Sequence, residues 1–166
     1  MATQPCPCGN FGNPLQECSC TPMQIQKYVG KISGPLLDRI DIHVEVPAVR
    51  YDDLVAKRVG ESSSEIRKRV VRARQVQAGR FAGLRGLYSN ADMQSSKIKE
   101  FCAIDQAGTN LLKMAMSKLG LSARAYDRIL KVALTIADLG GSERICPEHL
   151  SEAIQYRSLD RSFYAL

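Results

Sequence analysis

The sequence predicts a mainly α-helical protein, in which a helical bundle over residues 61–158 follows a shorter α/β remnant. Apolar residues recur at helical spacing in several segments after residue 60. Ser or Asp residues that can cap helices precede these segments, and glycines that can end helices follow them. In residues 1–50, by contrast, one short helical pattern and one alternating segment indicate the end of an α/β unit.

The composition is that of an ordinary soluble protein, with 166 residues, 45% apolar and 24% charged. No apolar run approaches the ~20 residues that a membrane span needs. The first residues lack the basic and apolar regions of a secretory signal. We therefore expect a cytoplasmic protein with no membrane partner. The formal net charge of +6 is compatible with a nucleic-acid or phosphate partner but identifies neither.

Four of the six cysteines lie close together as two Cys-x-Cys pairs. They are Cys6, Cys8, Cys18 and Cys20. Four thiolates can enclose a tetrahedral zinc ion, and a small polar loop without its own core would gain order from the metal. Cys-x-Cys is less typical of zinc than Cys-x-x-Cys. Free thiols on a reduced intracellular loop are therefore the alternative interpretation.

The N-terminal part contains one predicted helix and one predicted strand. The helix begins with Thr21 as N-cap and Pro22 at its first position, and it ends at Gly30. Gly34-Pro35 can then turn the chain. Residues 41–46 alternate strictly between polar and apolar side chains, which predicts a half-buried strand. One helix and one strand cannot form a sheet alone, so the rest of the sheet is expected to lie outside this sequence.

A predicted linker over residues 51–60 leads to a helix from Ser62 to about Ala78. Ile66, Val70 and Ala73 form a thin apolar stripe along it. Basic residues cover most of its other surface; the candidates for nucleic-acid binding are Arg67, Lys68, Arg69, Arg72 and Arg74. This basic surface can contact DNA or an acidic partner, and a solvated helix surface is the alternative.

Four further segments complete the predicted bundle. Two helices are expected over residues 94–103 and, capped by Asp105, over residues 106–119. Ser122 begins the clearest helix, which ends at Gly140-Gly141. Its apolar stripe consists of Tyr126, Ile129, Leu130, Ala133, Ile136 and Ala137. A last helix runs from Pro147 to about residue 157, and residues 159–166 are expected to form a frayed tail.

Two arginines stand out as candidates for phosphate chemistry. Arg39 lies at the start of the predicted strand, where an arginine can reach a phosphate on a neighbouring subunit. An ordinary surface pair with Asp38 is the alternative. Arg124 lies in the first turn of its helix, where the helix dipole disfavours a cation by roughly 0.3–1 kcal/mol. Together with the backbone N–H groups it can bind an anion, and a plain surface arginine is the alternative.

Several motifs resemble one known family. GPLLDRIDIHVEVP is similar to the arginine-finger segment of AAA+ ATPases of the magnesium-chelatase type. The likeness continues in PCPCGNFGNPLQECSC, in GLSARAYDRILKVALTIADL and in CPEHLSEAIQYRSLDR. It covers nearly the whole chain, with the motifs in the family's order, and it favours the ComM-like branch. The resemblance implies a C-terminal fragment: the end of the α/β ATPase core followed by the helical lid.

The resemblance also implies roles for particular residues. Arg39 would be an arginine finger acting in trans, and Arg124 the sensor-2 arginine acting in cis on ATP and Mg²⁺. Gln4 stands where the family has its sensor-1 Asn. By this resemblance the intact protein would be a ring motor of identical subunits, a hexamer, with DNA as a partner. The ComM-like members act on DNA in natural transformation, as branch-migration helicases.

Two ATPase motifs are absent from the sequence. It contains no G-x-x-x-x-G-K-[S/T] and no Walker-B strand, so we expect no ATP hydrolysis by this chain alone. The alternative function is a non-catalytic, zinc-stabilised helical module that binds DNA or protein. The basic helix after Ser62 would then be its binding surface.

Overall fold

The computed structural model describes residues 2–51, 55 and 60–157. These residues fall into two compact units, one ending at Gly60 and the other spanning Glu61–Arg157. The helices bounded within them are α1 (Pro22–Val29), α2 (Gly34–Leu37), α3 (Ser63–Arg80), a 3-10 helix (Asn90–Asp92), α4 (Ser95–Phe101), α5 (Gln106–Leu119), α6 (Ala123–Gly140) and α7 (Pro147–Gln155). The predicted mainly helical class is confirmed.

Some sequence-based expectations fall partly or wholly outside the described residues. The predicted tail at 159–166 lies wholly outside them, and so does most of the predicted linker at 51–60. No helix within the described residues is long and apolar enough to cross a membrane.

The predicted capping residues begin the helices as expected. Thr21 and Gln24 form a full capping box at the start of α1, because each side chain accepts a hydrogen bond from the other residue's backbone N–H. The side chains of Ser62, Asp105 and Ser122 accept backbone N–H groups at the starts of α3, α5 and α6. Helices α5 and α6 end at glycines in the left-handed conformation, Gly120 and Gly141.

The predicted strand at residues 41–46 is wrong, since no described residue is in a strand. The apolar side chains of Ile42, Val44 and Val46 are 47%, 64% and 83% exposed. A strand must exchange backbone hydrogen bonds with a neighbour, and no described segment supplies one. The preceding Gly34-Pro35 begins the short helix α2 rather than a simple turn.

Helix α6 is the centre of the helical unit. It packs against α3, α4, α7 and the 3-10 helix, and α5 packs against α7. Residues of α4, α5, α6 and α7 and of the loops form one apolar core, to which Phe81 and Met93, directly after α3 and the 3-10 helix, also belong. Its buried members are Phe81, Met93, Ile98, Cys102, Leu112, Ile129, Leu130, Ala133, Leu134, Ile145, Leu150 and Ala153.

Two helix faces differ from the predicted stripes. On α3, Ala73 is buried as predicted, but Ile66 and Val70 are exposed. The second residue buried on α3 is Gln77, because the C-terminal half of the helix packs on a polar part of α6. On α6, Tyr126 is exposed although it belongs to the predicted stripe, whereas the smaller Ala125 is buried.

Candidate metal centre and arginine sites

The four N-terminal cysteines converge on one point. The Sγ atom of Cys6 lies 3.4 Å from that of Cys8 and 3.7 Å from that of Cys18, and Cys8 and Cys18 are 3.6 Å apart. With Cys20 included, all four sulfurs lie within 4.8 Å of one another. A tetrahedral zinc ion with Zn–S bonds of about 2.3 Å separates its sulfurs by about 3.8 Å. The donor set and its spacing therefore fit one tetrahedral metal ion.

Tight turns bring the first cysteine pair into place. The Gly9 N–H donates to the Cys6 carbonyl, which closes a turn around Cys8. Gly9 has a φ of +84°, a conformation that a side chain at this position would strain. The Phe11 N–H then donates to the Cys6 sulfur at 3.3 Å. This hydrogen bond helps to fix the position of the Cys6 sulfur within the cluster.

The surroundings of the cluster give its thiols different pKa values. Hydrogen bonds from the backbone of Asn10, from the Cys6 side chain and from the backbone of Ser19 lower the pKa of Cys8 to about 5. Desolvation raises the pKa of Cys20 to about 12. Binding of a metal to all four sulfurs would therefore displace protons.

The cluster is joined to α1 by apolar contacts. Cys6 is fully buried and forms a small core with Ile25 and Val29. Cys18 and Cys20 pack against the same core. Cysteines of the cluster therefore make up a large part of the apolar contact around α1.

Arg39 lies just beyond α2, in the N-terminal unit. Its side chain is exposed, and Nη1 donates to the carbonyl of Pro35 at 3.3 Å. Leu37, two residues earlier, is buried and anchors this segment. Arg39 is therefore an exposed residue in the turn that follows α2 and does not lie beside a strand.

Arg124 is the second residue of α6, in the helical unit, and its side chain is exposed. The Ser122 hydroxyl accepts the Ala125 N–H at 3.1 Å. Helix geometry leaves the N–H groups of Ala123 and Arg124 without carbonyl acceptors inside α6. An exposed arginine thus lies beside open backbone donors, an arrangement that suits an anion. Arg128, one turn later, is half-buried.

The five predicted basic residues of α3 are all exposed but are not equivalent. Lys68 donates to Glu65 at 2.7 Å, and Arg69 binds Glu61 through two hydrogen bonds of 2.5 and 2.9 Å. This pair lowers the pKa of Glu61. Among the described residues no carboxylate lies within salt-bridge distance of the other three basic residues. These are Arg67, Arg72 and Arg74.

A buried polar network in the helical unit was not predicted from the sequence. Asp138 accepts hydrogen bonds from Arg80, from Asn90 at 2.8 Å and from Gln77 at 3.1 Å. Asn90 also donates to the hydroxyl of Thr135. Arg80 is adjacent in sequence to the basic surface of α3 but points into the unit. The available signal was Asp138 itself, a carboxylate next to the apolar stripe of α6.

Comparison with known proteins places the chain in a family. Two protein-family models match the sequence. The family described as magnesium chelatase, subunit ChlI C-terminal, matches residues 60–157, and the family described as magnesium chelatase, subunit ChlI, matches residues 1–54. Competence protein ComM of Haemophilus influenzae is 39% identical over 162 residues, and the uncharacterized protein YifB of Escherichia coli is 40% identical over 163. Each alignment covers 96% of this chain and 30% of the relative, so the chain spans about 30% of these relatives' length. The chain belongs to the magnesium-chelatase subunit ChlI family.

Proposed function

We propose that this chain forms the part of a magnesium-chelatase-like AAA+ ATPase that carries its arginine finger and its sensor-2 lid. The observation that carries the proposal is the pair of family matches, which together cover both units of the chain. The exposure of both Arg39 and Arg124 supports it, because a residue that contacts a nucleotide must be at the surface of its unit.

The two arginines would have different tasks. ATP with Mg²⁺ would supply the phosphoryl group for transfer. Arg124, with the open N–H groups at the start of α6, would bind the terminal phosphate of its own subunit's nucleotide. Arg39 would extend to the nucleotide of the neighbouring subunit and stabilise the charge of the transition state, an effect of ~10³–10⁵ in rate for such fingers. The identical subunits would form a ring, in this proposal a hexamer.

The substrate of the motor would be DNA. One relative, of Haemophilus influenzae, is named competence protein ComM, and this name is the basis for proposing a role in natural transformation. A branch-migration helicase in natural transformation is the activity that we propose for the intact ring. The exposed basic surface of α3 supports a nucleic-acid partner.

A chimera tests the ATPase proposal, in which this chain replaces the corresponding 30% of E. coli YifB. Arg39→Ala and Arg124→Ala should each remove most of the ATPase activity. Mixing the two variants should partly restore it, because a subunit intact at one position completes the site of another. Arg85→Ala, at an exposed position outside both sites, is the control and should keep full activity. Failure of rescue at every mixing ratio would contradict the assignment of Arg39 in trans.

The four-cysteine cluster supports a second function for the N-terminal unit. We infer that its thiolates bind one structural Zn²⁺, since four sulfur ligands leave no open position for catalysis. Elemental analysis should find one zinc per chain, and chelation should release four reactive thiols. Cys146→Ser, outside the cluster, should bind zinc normally. A metal-free chain whose cluster thiols react from the start would contradict this inference.

The zinc site would serve equally well in the alternative, a non-catalytic module that binds DNA or protein. ATPase assays of the chimera separate the two functions. Loss of activity on substitution of Arg39 and Arg124 favours the motor, and full activity of both variants favours the module.

A further inference from the structure

The small core around α1 depends on side chains that also form the metal cluster. Cys6 is fully buried in one small core with Ile25 and Val29, which are themselves 5% and 4% exposed. Cys18 and Cys20 cover the same core from the other end of the loop. No other apolar side chain among the described residues is packed in this cluster. Formation of the core therefore requires that the loop cysteines be held in place.

Helix α1 is too short to be stable without that core. It has eight residues, and isolated helices shorter than about 12–15 residues are marginal in water. Its capping box and its proline at the first position define where it begins, but they do not bury apolar surface. Cys20 directly precedes the N-cap Thr21, so the loop positions the helix start as well as its buried face.

The cysteine cluster in turn depends on α1. Cys6 and Cys18 are 12 positions apart in the sequence, yet their sulfurs are 3.7 Å apart. Closing a loop of this length reduces its conformational entropy; the turn hydrogen bonds within the loop, the apolar contacts with α1 and the contacts between the sulfurs offset part of this loss. A bound metal would add the missing stabilisation.

We propose that metal binding by the cysteine cluster and folding of α1 are a single linked event, so that metal controls the order of the N-terminal unit. This proposal rests on the metal site proposed above and adds its regulation. Linkage is reciprocal: a metal that stabilises α1 must bind more weakly when α1 is destabilised. A substitution on α1 that touches no ligand should therefore lower the affinity for zinc.

The reciprocal effect can be measured with the full 166-residue chain and Zn²⁺ alone. Ile25→Ala should weaken zinc binding by about tenfold or more in competition with a chromophoric chelator, since it removes most of a buried side chain. Met23→Ala is the matched control on the same helix, because Met23 is 79% exposed, and it should change the affinity less than about twofold. Ile25→Val, which keeps most of the buried volume, should give an intermediate affinity.

Hydrogen exchange tests the other direction of the linkage. Chelation of zinc should speed exchange in the backbone of Pro22–Val29 and leave Ala123–Gly140, in the other unit, unchanged. If wild-type chain binds zinc, but Ile25→Ala binds it equally well and α1 exchange ignores chelation, the linkage is wrong and the metal site stands. If the wild-type chain binds no metal at all, both the site and the linkage are wrong.

Discussion

Arg80 and Asp138, 58 positions apart in the sequence, form a two-point ion pair inside the helical unit. Nη1 of Arg80 donates to Oδ2 of Asp138 at 2.9 Å, and Nη2 donates to Oδ1. The carboxylate is fully buried and the arginine side chain is 14% exposed. Asn90 and Gln77 donate to the same carboxylate, so its buried oxygens are well satisfied. The pair fixes the C-terminal half of α3 against α6.

Removal of one partner of this pair should strongly destabilise the helical unit. Asp138→Ala leaves the Arg80 guanidinium buried without its counter-charge, which costs about 3–5 kcal/mol in comparable cases. Urea unfolding of Asp138→Ala and of the wild-type chain would measure the loss in free energy of unfolding. Glu61→Ala is the matched control, because it breaks the equally bidentate but exposed pair with Arg69 and should change stability little. Equal losses of unfolding free energy in Asp138→Ala and Glu61→Ala would show that the buried pair stabilises the unit no more than the exposed pair does.

The sequence was sufficient to predict the helices of the second unit, because caps, glycines and apolar spacing are local signals. Ser122 and Gly141 bound α6 as their residue types predict. The ion pair of Arg80 and Asp138 could not be predicted in this way, since no local pattern indicates which distant helix a charged side chain contacts.

The N-terminal unit shows the same limit. The pattern at residues 41–46 is that of a strand, yet strand formation depends on a neighbour that local alternation does not reveal. The four cysteines, by contrast, were identified as one cluster from spacing alone, and their sulfurs do converge.

Two glycine substitutions should change stability in opposite directions. A Cβ at Gly108 in α5 would lie 2.8 Å from Cδ1 of Leu150, a fully buried side chain of the apolar core. Gly108→Ala should therefore destabilise the unit by about 1–3 kcal/mol through overpacking. A Cβ at Gly79 in α3 would meet nothing within 4 Å, so Gly79→Ala should stabilise by up to about 1 kcal/mol. Thermal unfolding of both variants measures this, and a gain for Gly108→Ala would contradict the close helix contact.

Burial of Cys102 should make the free energy of unfolding fall at alkaline pH. Burial raises the pKa of its thiol from an ordinary value near 9 to about 11. Between these values the unfolded chain loses the proton and the folded chain keeps it, so the free energy of unfolding should fall as pH rises from 9 to 11. The expected loss from this group is about 2–3 kcal/mol. The difference in stability between wild type and Cys102→Ala should shrink over this range, and a constant difference would show that the thiol does not contribute.

DNA binding by α3 should depend more on arginines that have no carboxylate within salt-bridge distance among the described residues than on side chains that form ion pairs. Arg67 and Arg74 are seven positions apart and therefore share a face of the helix. Arg67→Ala and Arg74→Ala should each reduce the slope of log affinity against log salt by about 1, the loss expected for one phosphate contact. Lys68→Ala removes the same charge from the same helix, but Lys68 already pairs with Glu65 and should change the slope less. Fluorescence anisotropy with a DNA duplex over a salt series gives all three slopes. Equal slopes for the three variants would indicate a general effect of net charge, and affinity independent of salt would exclude α3 as a DNA-binding surface.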